Sequence, residues 1–379
     1  MGAHALLSAS SSHRWLHCPP SARLCEKYDS SAGAAALEGT DAHSLCEHKL
    51  KTALGIFCPD PTENLTYYDA EMEESANGYR DFVLDTIGKA KQHCKDPMIL
   101  IEQRLDFSEY VESGFGTGDC VIIADKTLYI IDFKYGTGVL VDAVENPQMM
   151  LYALGALHLA DMMYDIEDIY MSIYQPRREN YSSYVISRKA LLEWAENTLK
   201  PTAAMAYKGE GEFACGDWCC FCKAKATCRA RAEANLEMAK YDFTDPPELK
   251  DAEIEDILKR ADDLIAWAGD VKEYALNAAL NGKHWWDFKL VEGTARRRYL
   301  DESAVAAKVE AEGLDPYSHS VLGITEMTKL LGGKKKFDEL LGALVIKPQG
   351  KPVLVPRDDK RPEMNNVQSA ASDFADTDD

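Results

Sequence analysis

The chain has 379 residues, of which 46% are hydrophobic, and it carries a formal net charge of −21 at pH 7. A chain of this length can bury a large core and commonly forms two domains, whereas its negative charge argues against a protein that coats nucleic acid without specificity. Because no apolar run approaches the roughly 20 residues that span a bilayer and no signal-peptide pattern precedes the polar residues 10–14, we expect a cytoplasmic protein without a membrane partner.

The first segment of interest, residues 13–21, predicts a turn and contains Cys18 before two prolines. By residue type alone, Cys18 is either a buried free thiol or a ligand. The next element is predicted to be a helix with Thr40 as its N-cap, running to about residue 54. His43 lies one turn inside it, where a lone histidine is either structural or a ligand.

A second amphipathic helix is predicted for residues 69–92, followed by a strand at residues 98–107. Apolar and charged side chains alternate in this strand, so we expect them on opposite faces of the sheet. Ile99, Ile101 and Leu105 are expected on one face, and Glu102 and Arg104 on the other.

The most informative stretch predicts a hairpin, with strands at residues 116–124 and 128–134 joined by a tight turn. Its Val, Ile and Tyr residues fit a pleated, buried sheet. Asp119 lies in the first strand, and Asp132 and Lys134 lie at the end of the second. Charges in an apolar sheet are costly unless they are paired or bound to a metal. This pattern therefore indicates a metal-dependent nuclease site.

A helix is predicted to begin at Asn146 and Pro147, which form a cap and a first-turn proline. It places Gln148 and Tyr152 on one face, where they are either ordinary polar residues of the helix surface or functional residues. A strand at residues 169–174 and a helix at residues 188–207 follow.

Five cysteines lie between residues 215 and 228, a density that core packing does not explain. Disulfides are disfavoured in the cytoplasm, so a soft metal or an iron–sulfur cluster is the natural occupant. Three thiolates come from Cys219, Cys222 and Cys228. A structural zinc and a four-iron cluster both require a fourth ligand. Cys215 or Cys220 would complete a zinc site locally, whereas Cys18 would complete a cluster from far away.

These motifs together resemble the PD-(D/E)xK nuclease superfamily, whose signature matches Asp119, Asp132 and Lys134. The Glu-Gly-Thr-x-x-His context of His43 and the Gln-x-x-x-Tyr spacing after the hairpin resemble its RecB-like branch. One cysteine before the fold and three after it resemble the iron–sulfur members, namely AddB-type nucleases and CRISPR-associated adaptation nucleases. The resemblance covers about residues 10–235, and the doubled cysteine at 219–220 departs from the pattern.

The whole chain, including residues 288–293 and 358–362, looks like an uncharacterised phage and prophage family built on this fold. The resemblance implies an α/β fold: a restriction-endonuclease-like mixed central sheet flanked by helices, with a cysteine-cluster staple and an α-rich C-terminal extension. The implied domains are a nuclease domain at 1–240, an α-rich accessory domain at 241–364, for which DNA binding is one interpretation, and an acidic disordered tail at 365–379.

The resemblance also implies roles for the site residues. A magnesium or manganese ion would be held by His43, Asp119 and Asp132, and the imidazole tilts the preference towards manganese. Lys134 would stabilise the transition state. The implied catalytic set is Asp119, Asp132, Lys134, Gln148 and Tyr152, with Glu102 as a weaker candidate. A structural 4Fe–4S cluster, with zinc as the alternative, would be held by Cys18, Cys219, Cys222 and Cys228.

The expected function is a DNA exonuclease or DNA-end processing enzyme of phage-type recombination or replication. Its substrate would be single-stranded DNA or duplex ends, beside a phage single-strand-binding or annealing protein. Two alternatives stay open: a non-catalytic iron–sulfur or zinc DNA-binding subunit, and a sequence-specific endonuclease. Basic residues near the cysteines and at 296–298 and 334–336 are either solvated faces or a DNA track; those near the cysteines are Lys223, Lys225, Arg229 and Arg231.

Overall fold

The computed structural model describes residues 5–28, 33–161, 163–237, 249–291, 301–311, 317 and 321–346. The chain divides into two compact units, residues 1–284 and 285–379. The predicted domain boundary at residue 240, the basic run at 296–298, the motif at 358–362 and the acidic tail at 365–379 lie outside the described residues.

The first unit is built around a five-stranded mixed sheet with the strand order β1-β2-β3-β4-β5. The strands are β1 (Met98–Asp106), β2 (Phe115–Ala124), β3 (Thr127–Phe133), β4 (Asp168–Gln175) and β5 (Asn180–Ser187). β3 and β4 run parallel, and the other neighbours are antiparallel. The predicted mixed α/β fold is thus confirmed. β5 was not predicted, because this edge strand alternates half-buried and exposed residues and contains three serines.

Helices cover both faces of this sheet. The described helices of the first unit are α1 (Ser12–His17), α2 (Ser21–Cys25), α3 (Ala34–Ala53), α4 (Ala70–Ala90), α5 (Pro147–Ala160), α6 (Arg188–Trp194), α7 (Lys200–Lys208), α8 (Arg229–Leu236) and α9 (Asp251–Leu280). A π-helical segment, Ala195–Leu199, joins α6 to α7. The described helices of the second unit are α10 (Glu302–Ala311), α11 (Ile324–Leu330) and α12 (Lys334–Leu341).

The core of the first unit has one part on each face of the sheet. Because side chains alternate along a strand, β2 sends Cys120 and Ile122 into the part that packs α3 and α4. It sends Val121 and Ile123 into the part that packs α5. The sheet therefore lies between two helical layers, and charged residues in its strands lie close to helices on one side or the other.

Side chains cap the starts of two helices, and the cap at Asn146 is the one predicted. The Asp69 carboxylate accepts the backbone N–H of Met72 before α4, and the Asn146 side chain accepts the N–H groups of Gln148 and Met149 before α5. Such contacts satisfy the first backbone donors of a helix. The second cap fixes the start of α5 and hence the position of Gln148 in its first turn.

Two predictions near the N-terminus are wrong. Thr40 is not an N-cap, because α3 begins six residues earlier after Gly33 and the Thr40 hydroxyl donates to the Ala36 carbonyl at 3.0 Å. The alanines at the start of α3 are strong helix formers, which accounts for the longer helix. The predicted turn at residues 13–21 is largely helical, since α1 precedes Cys18 and buries Trp15 completely.

The predicted facing of β1 is also wrong beyond its centre. Ile99 and Ile101 both pack towards α3 and α4. Leu105, which was expected on the same face, lies in the core on the α5 side. The change occurs at Glu102, whose φ of 49° is left-handed. A single left-handed residue in a strand turns the following side chains to the opposite face, and the sequence carries no mark of it.

None of the helices in the described ranges has the length and apolar character needed to cross a membrane.

Candidate active site and cysteine cluster

Two buried carboxylates meet where β2 and β3 separate. The two strands pair from Ala124 back to Cys120 on β2. Beyond that pair, the Asp119 side chain enters the fork, and its Oδ2 accepts the backbone N–H of Phe133 at 2.6 Å. Asp132 follows at the end of β3, and the two acids are only 8% and 2% exposed. The carboxylate of Asp119 thus replaces a backbone partner and stabilises the fork.

A histidine and two acids form a group that could hold a metal ion. His43 Nδ1, on α3, lies 3.3 Å from Asp119 Oδ1. With Glu102 of β1, the three potential ligand atoms all lie within 4.8 Å of one another. Among the described residues this is the one such group of histidine, cysteine and acidic side chains. The Phe133 ring packs edge-on against the imidazole at 5.5 Å and helps to orient it.

The electrostatics of this group reflect an excess of buried negative charge. Burial by itself lowers the pKa of His43, but the Asp119 carboxylate outweighs it and raises that pKa to about 9. Burial and the charge of Asp119 raise the pKa of Glu102 to about 7. Burial also opposes ionisation of Asp119, but contact with His43 holds the pKa of Asp119 below its usual value. A metal cation at this position is therefore favourable. Without a metal, the protonated imidazole of His43 supplies the positive charge.

A second set of polar side chains surrounds Asp132. Lys134 Nζ lies 3.0 Å from Asp132 Oδ2 and donates to Gln148 Oε1 at 3.1 Å. Gln148 Nε2 donates to Asp132 Oδ1 at 3.2 Å and to the Tyr152 hydroxyl at 3.1 Å. Burial alone would lower the pKa of Lys134, but Asp132 outweighs it and raises that pKa, so the lysine is held as an ammonium.

The structure thus brings the predicted active-site residues into two adjoining sets. Asp132, Lys134, Gln148 and Tyr152 share the hydrogen-bonded network, and His43 pairs with Asp119. Asp132 stays outside the three-residue group, where Glu102, the weaker candidate, provides the second carboxylate. Burial raises the pKa of Asp132, and the charge of Asp119 adds to this effect. The two sets are therefore electrostatically coupled.

Gly116 explains how α5 approaches the fork. A Cβ at this position would lie 2.7 Å from Tyr152 Cε1 and 3.4 Å from the Ala9 side chain. Real Cβ atoms do not come that close to a ring carbon, so only glycine lets β2 pass directly beneath Tyr152. This close contact positions the tyrosine that holds Gln148.

The four cysteines predicted as cluster ligands line a single cavity. They are Cys18, Cys219, Cys222 and Cys228. Arg14, Lys225 and Arg231 also line it, so positive charge is available to balance thiolates. In the part of the chain that the structure describes, no three cysteine sulfurs lie within 4.8 Å of one another. Two thiolates on one tetrahedral zinc would lie about 3.8 Å apart, since each Zn–S bond is about 2.3 Å. Three of these sulfurs would therefore have to move closer together to share one zinc ion.

The remaining cysteines near this cavity differ in exposure. Cys220 lies at the surface, although it neighbours Cys219 in the sequence. Burial raises the pKa of Cys215 to about 12, in contact with Cys219. Sequence reasoning missed Cys25, whose Sγ lies 3.7 Å from Cys222 Sγ. The one available signal was its position seven residues after Cys18.

Two of the four basic residues near the cysteines form ion pairs with acids of α9. Arg231 is 2% exposed, and its Nη1 and Nη2 lie 2.6 Å from Asp270 and 3.0 Å from Asp263 on α9. Lys225 Nζ pairs with Asp270 at 2.8 Å. Lys223 and Arg229 are exposed. The ion pairs of Arg231 and Lys225 anchor α9 beside the cysteine cavity.

Comparison with known proteins identified a family, and a solved structure matches weakly. A family model described as "Protein of unknown function (DUF2800)" matches residues 4–362. A solved structure described as "Crystal structure of SSO0001" is 16% identical, and the match covers 49% of this chain and 95% of that chain with a TM-score of 0.24. A match this weak supports no inference about the fold or function of this chain.

Proposed function

The chain belongs to the DUF2800 family of proteins of unknown function, and we propose that it is a metal-dependent nuclease of the PD-(D/E)xK type that hydrolyses phosphodiester bonds in DNA. The observation that carries this proposal is the adjacency of two sets of residues at the fork of β2 and β3. One is the potential metal-binding group of His43, Glu102 and Asp119. The other is the network in which Lys134 is held between Asp132 and Gln148.

The residues present fit a hard divalent ion. Their donor set is one imidazole nitrogen and carboxylate oxygens, which suits manganese as well as magnesium. In addition, Asp132 Oδ2 is buried without a hydrogen bond of regular geometry and lies 3.0 Å from the Lys134 ammonium. His43, Glu102 and Asp119 would hold the ion, with Asp132 beside them. When bound, the ion neutralises charge on the phosphate and activates water.

The protein's own residues supply positioning and charge. The Lys134 ammonium is fixed by Asp132 and Gln148, so it is oriented before a phosphate arrives. A preorganised cation of this kind stabilises the charge that develops on phosphate oxygens in the transition state. Tyr152 accepts a hydrogen bond from Gln148 and thereby holds the amide in place. Asp119 keeps His43 oriented through its carboxylate.

The direct test is cleavage of end-labelled single- and double-stranded DNA with magnesium or manganese. Asp119→Asn and Lys134→Met should each lower the rate by about 10²–10³-fold, since the first removes a charged ligand of the proposed ion and the second removes the cation that would stabilise the transition state. Matched controls are Asp165→Asn and Lys189→Met, which alter exposed residues. Cleavage that survives Asp119→Asn would overturn the proposal. DNA binding without cleavage by the unmodified protein would favour a non-catalytic DNA-binding subunit.

For the substrate, we propose DNA ends, either single-stranded or duplex, processed beside a single-strand-binding or annealing protein of a phage. This part rests on the resemblance of the motifs. Linear DNA should be degraded from its termini, whereas a covalently closed circular plasmid of the same sequence should survive. Cutting of the circle would instead indicate an endonuclease.

For the cysteine cavity, we propose a structural 4Fe–4S cluster held by Cys18, Cys219, Cys222 and Cys228. The four side chains around one cavity and the three cations beside them support this occupant. Protein purified without oxygen should contain iron and sulfide and absorb at about 400 nm. Cys219→Ser should lose the iron, whereas the neighbouring exposed Cys220→Ser should keep it. A colourless protein with one zinc would support the alternative occupant.

A further inference from the structure

Cys25 and Cys222 form a close thiol pair at the edge of the cysteine cavity. Their sulfurs are 3.7 Å apart, and the residues are 6% and 8% exposed. They pack with Ala224 in a small apolar cluster, to which Leu24 and Tyr28 add partly buried surface. Since α2 carries Cys25 and residue 222 lies nearly 200 positions further on, only the fold creates this pair.

The Cys25 sulfur is held by a cation. Arg14 Nη1 donates to Cys25 Sγ at 3.2 Å. The same nitrogen donates to the Ser21 carbonyl at 2.8 Å and to the Ser21 hydroxyl at 3.0 Å. The guanidinium is therefore fixed by three acceptors. A fixed positive charge against a sulfur favours its nucleophilic form.

The pair lies between two cavities. Cys25 lines an open cavity of about 510 Å³ together with Ser10, His13 and Lys223. Cys222 lines the separate cavity that contains the other proposed cluster ligands. A small oxidant can therefore reach Cys25 from one side, while Cys222 lies among the thiols of the other.

We propose that Cys25 and Cys222 are a disulfide modification site, and that this disulfide and ligation by Cys222 exclude each other. The mutual exclusion rests on the proposed cluster, whereas the formation of the disulfide does not. The proposed oxidant is a peroxide. The bond to be formed is about 2.05 Å long, so the two sulfurs must approach further from their present separation of 3.7 Å.

The chemistry balances with hydrogen peroxide. The Cys25 sulfur attacks one peroxide oxygen, the O–O bond breaks, and the departing oxygen leaves as water, which gives a sulfenic acid. The Cys222 sulfur then attacks the Cys25 sulfur, the S–O bond breaks, and a second water leaves. The two thiols lose two electrons to the peroxide, and their two protons are carried away in the water molecules.

The first test maps the disulfide in full-length, cluster-free protein treated with hydrogen peroxide. Remaining thiols are alkylated, and the protein is digested without reduction. Trypsin should release Cys25 in residues 24–27 and Cys222 in residues 209–223. Tandem mass spectrometry must then locate the link, because the second peptide also contains the cysteines at positions 215, 219 and 220. The expected result is that Cys25 is linked chiefly to Cys222.

Recovery of Cys25 mainly as a free thiol, as a sulfinic acid or linked to another cysteine would overturn the proposal. This mapping needs no variant, so a variant that fails to fold does not affect it. Cys222→Ser should abolish the link, and Cys220→Ser, which alters the exposed neighbour, should retain it.

The second test measures iron and sulfide bound after anaerobic reconstitution. Oxidised protein should fail to bind a cluster, and treatment with dithiothreitol should restore binding. Normal loading of protein whose disulfide has been mapped would overturn the exclusion. If untreated protein binds no iron either, the proposed cluster fails, while the mapping still decides whether the disulfide forms.

Discussion

Glu102 shows how one backbone angle positions a functional group. Its φ of 49° lies in the left-handed region, which costs most residues about 1–2 kcal/mol relative to an ordinary strand conformation. The conformation turns the carboxylate of β1 towards His43 and Asp119. Strained residues of this kind are concentrated at functional sites, which is consistent with a role for Glu102 in the proposed metal site.

Replacement of Glu102 by glutamine should weaken manganese binding by at least about tenfold, because one charged ligand becomes a neutral amide. Isothermal titration or the electron paramagnetic resonance signal of free manganese would measure the affinity. Glu109→Gln is the matched control, since Glu109 is an exposed residue shortly after the same strand. Equal affinities of the two variants would exclude Glu102 as a ligand.

His43 should make metal binding depend on pH. Its pKa of about 9 in the metal-free protein means that the imidazole is protonated at neutral pH and must lose a proton to bind a metal. Manganese affinity should therefore rise with pH by up to about tenfold per unit between roughly pH 7 and pH 8.5. Below about 7, protonation of Glu102 should steepen the dependence.

The manganese affinity measured across this range checks the assignment. In His43→Gln, which has no titrating ring, the rise between pH 7 and pH 8.5 should largely disappear and the affinity should be lower throughout. An unmodified protein whose affinity stays constant over the same range would contradict a metal-binding role for His43.

Among the elements, α9 is attached to the rest of the first unit chiefly through charge. Arg231 of α8 pairs with Asp263 and Asp270, and Asn235 also donates to Asp263 at 3.0 Å. Arg231 is nearly inaccessible, so its guanidinium cannot be replaced by water if it is removed. Asp263 would then lose its cation, and Asp270 would keep only Lys225 as a counter-charge.

Arg231→Met should therefore lower the free energy of unfolding of the first unit by about 3 kcal/mol, the lower end of the usual cost of breaking a buried ion pair from one side, because Lys225 still faces Asp270 and Asp263 is partly exposed. Arg229→Met, on the same helix but exposed, should have little effect. Urea denaturation followed by circular dichroism would compare the two. Similar unfolding midpoints for both variants would show that packing rather than charge holds α9.

For the whole molecule, the N-terminal segment and the cysteine-rich segment after α7 are held together by several contacts. His17 stacks on Trp218 at 4.3 Å, His13 lies 3.3 Å from Asp217, and the Tyr28 hydroxyl contacts Thr227 at 2.7 Å. The cysteine cavity lies between the same two segments. A cluster there would close a loop that contains the entire sheet.

Loss of the proposed cluster in Cys219→Ser should lower stability by roughly 2–4 kcal/mol, because closing a long loop restricts the unfolded chain. Cys220→Ser should unfold like the unmodified protein. Thermal unfolding under anaerobic conditions, with iron measured on the same samples, would test this. Equal stability of iron-loaded protein and Cys219→Ser would mean that the contacts around Trp218 suffice without a cluster.

The sequence by itself determined the local features: the hairpin, the helices begun by Asp69 and Asn146, and the residue types at the fork. These follow from patterns within a few neighbouring residues, since side-chain periodicity and capping act over one or two turns. The sequence also predicted that Asp132, Lys134, Gln148 and Tyr152 belong together, through the resemblance to a nuclease family.

Only the tertiary structure decided the ligand geometry and the pairing of the cysteines. Glu102 joins His43 and Asp119 because of a left-handed residue that no pattern marks. Cys25 meets Cys222, and Lys225 and Arg231 meet acids of α9, across long sequence separations. Contacts of this kind depend on how the helices pack on the sheet, and packing is a property of the whole core rather than of any short stretch of sequence.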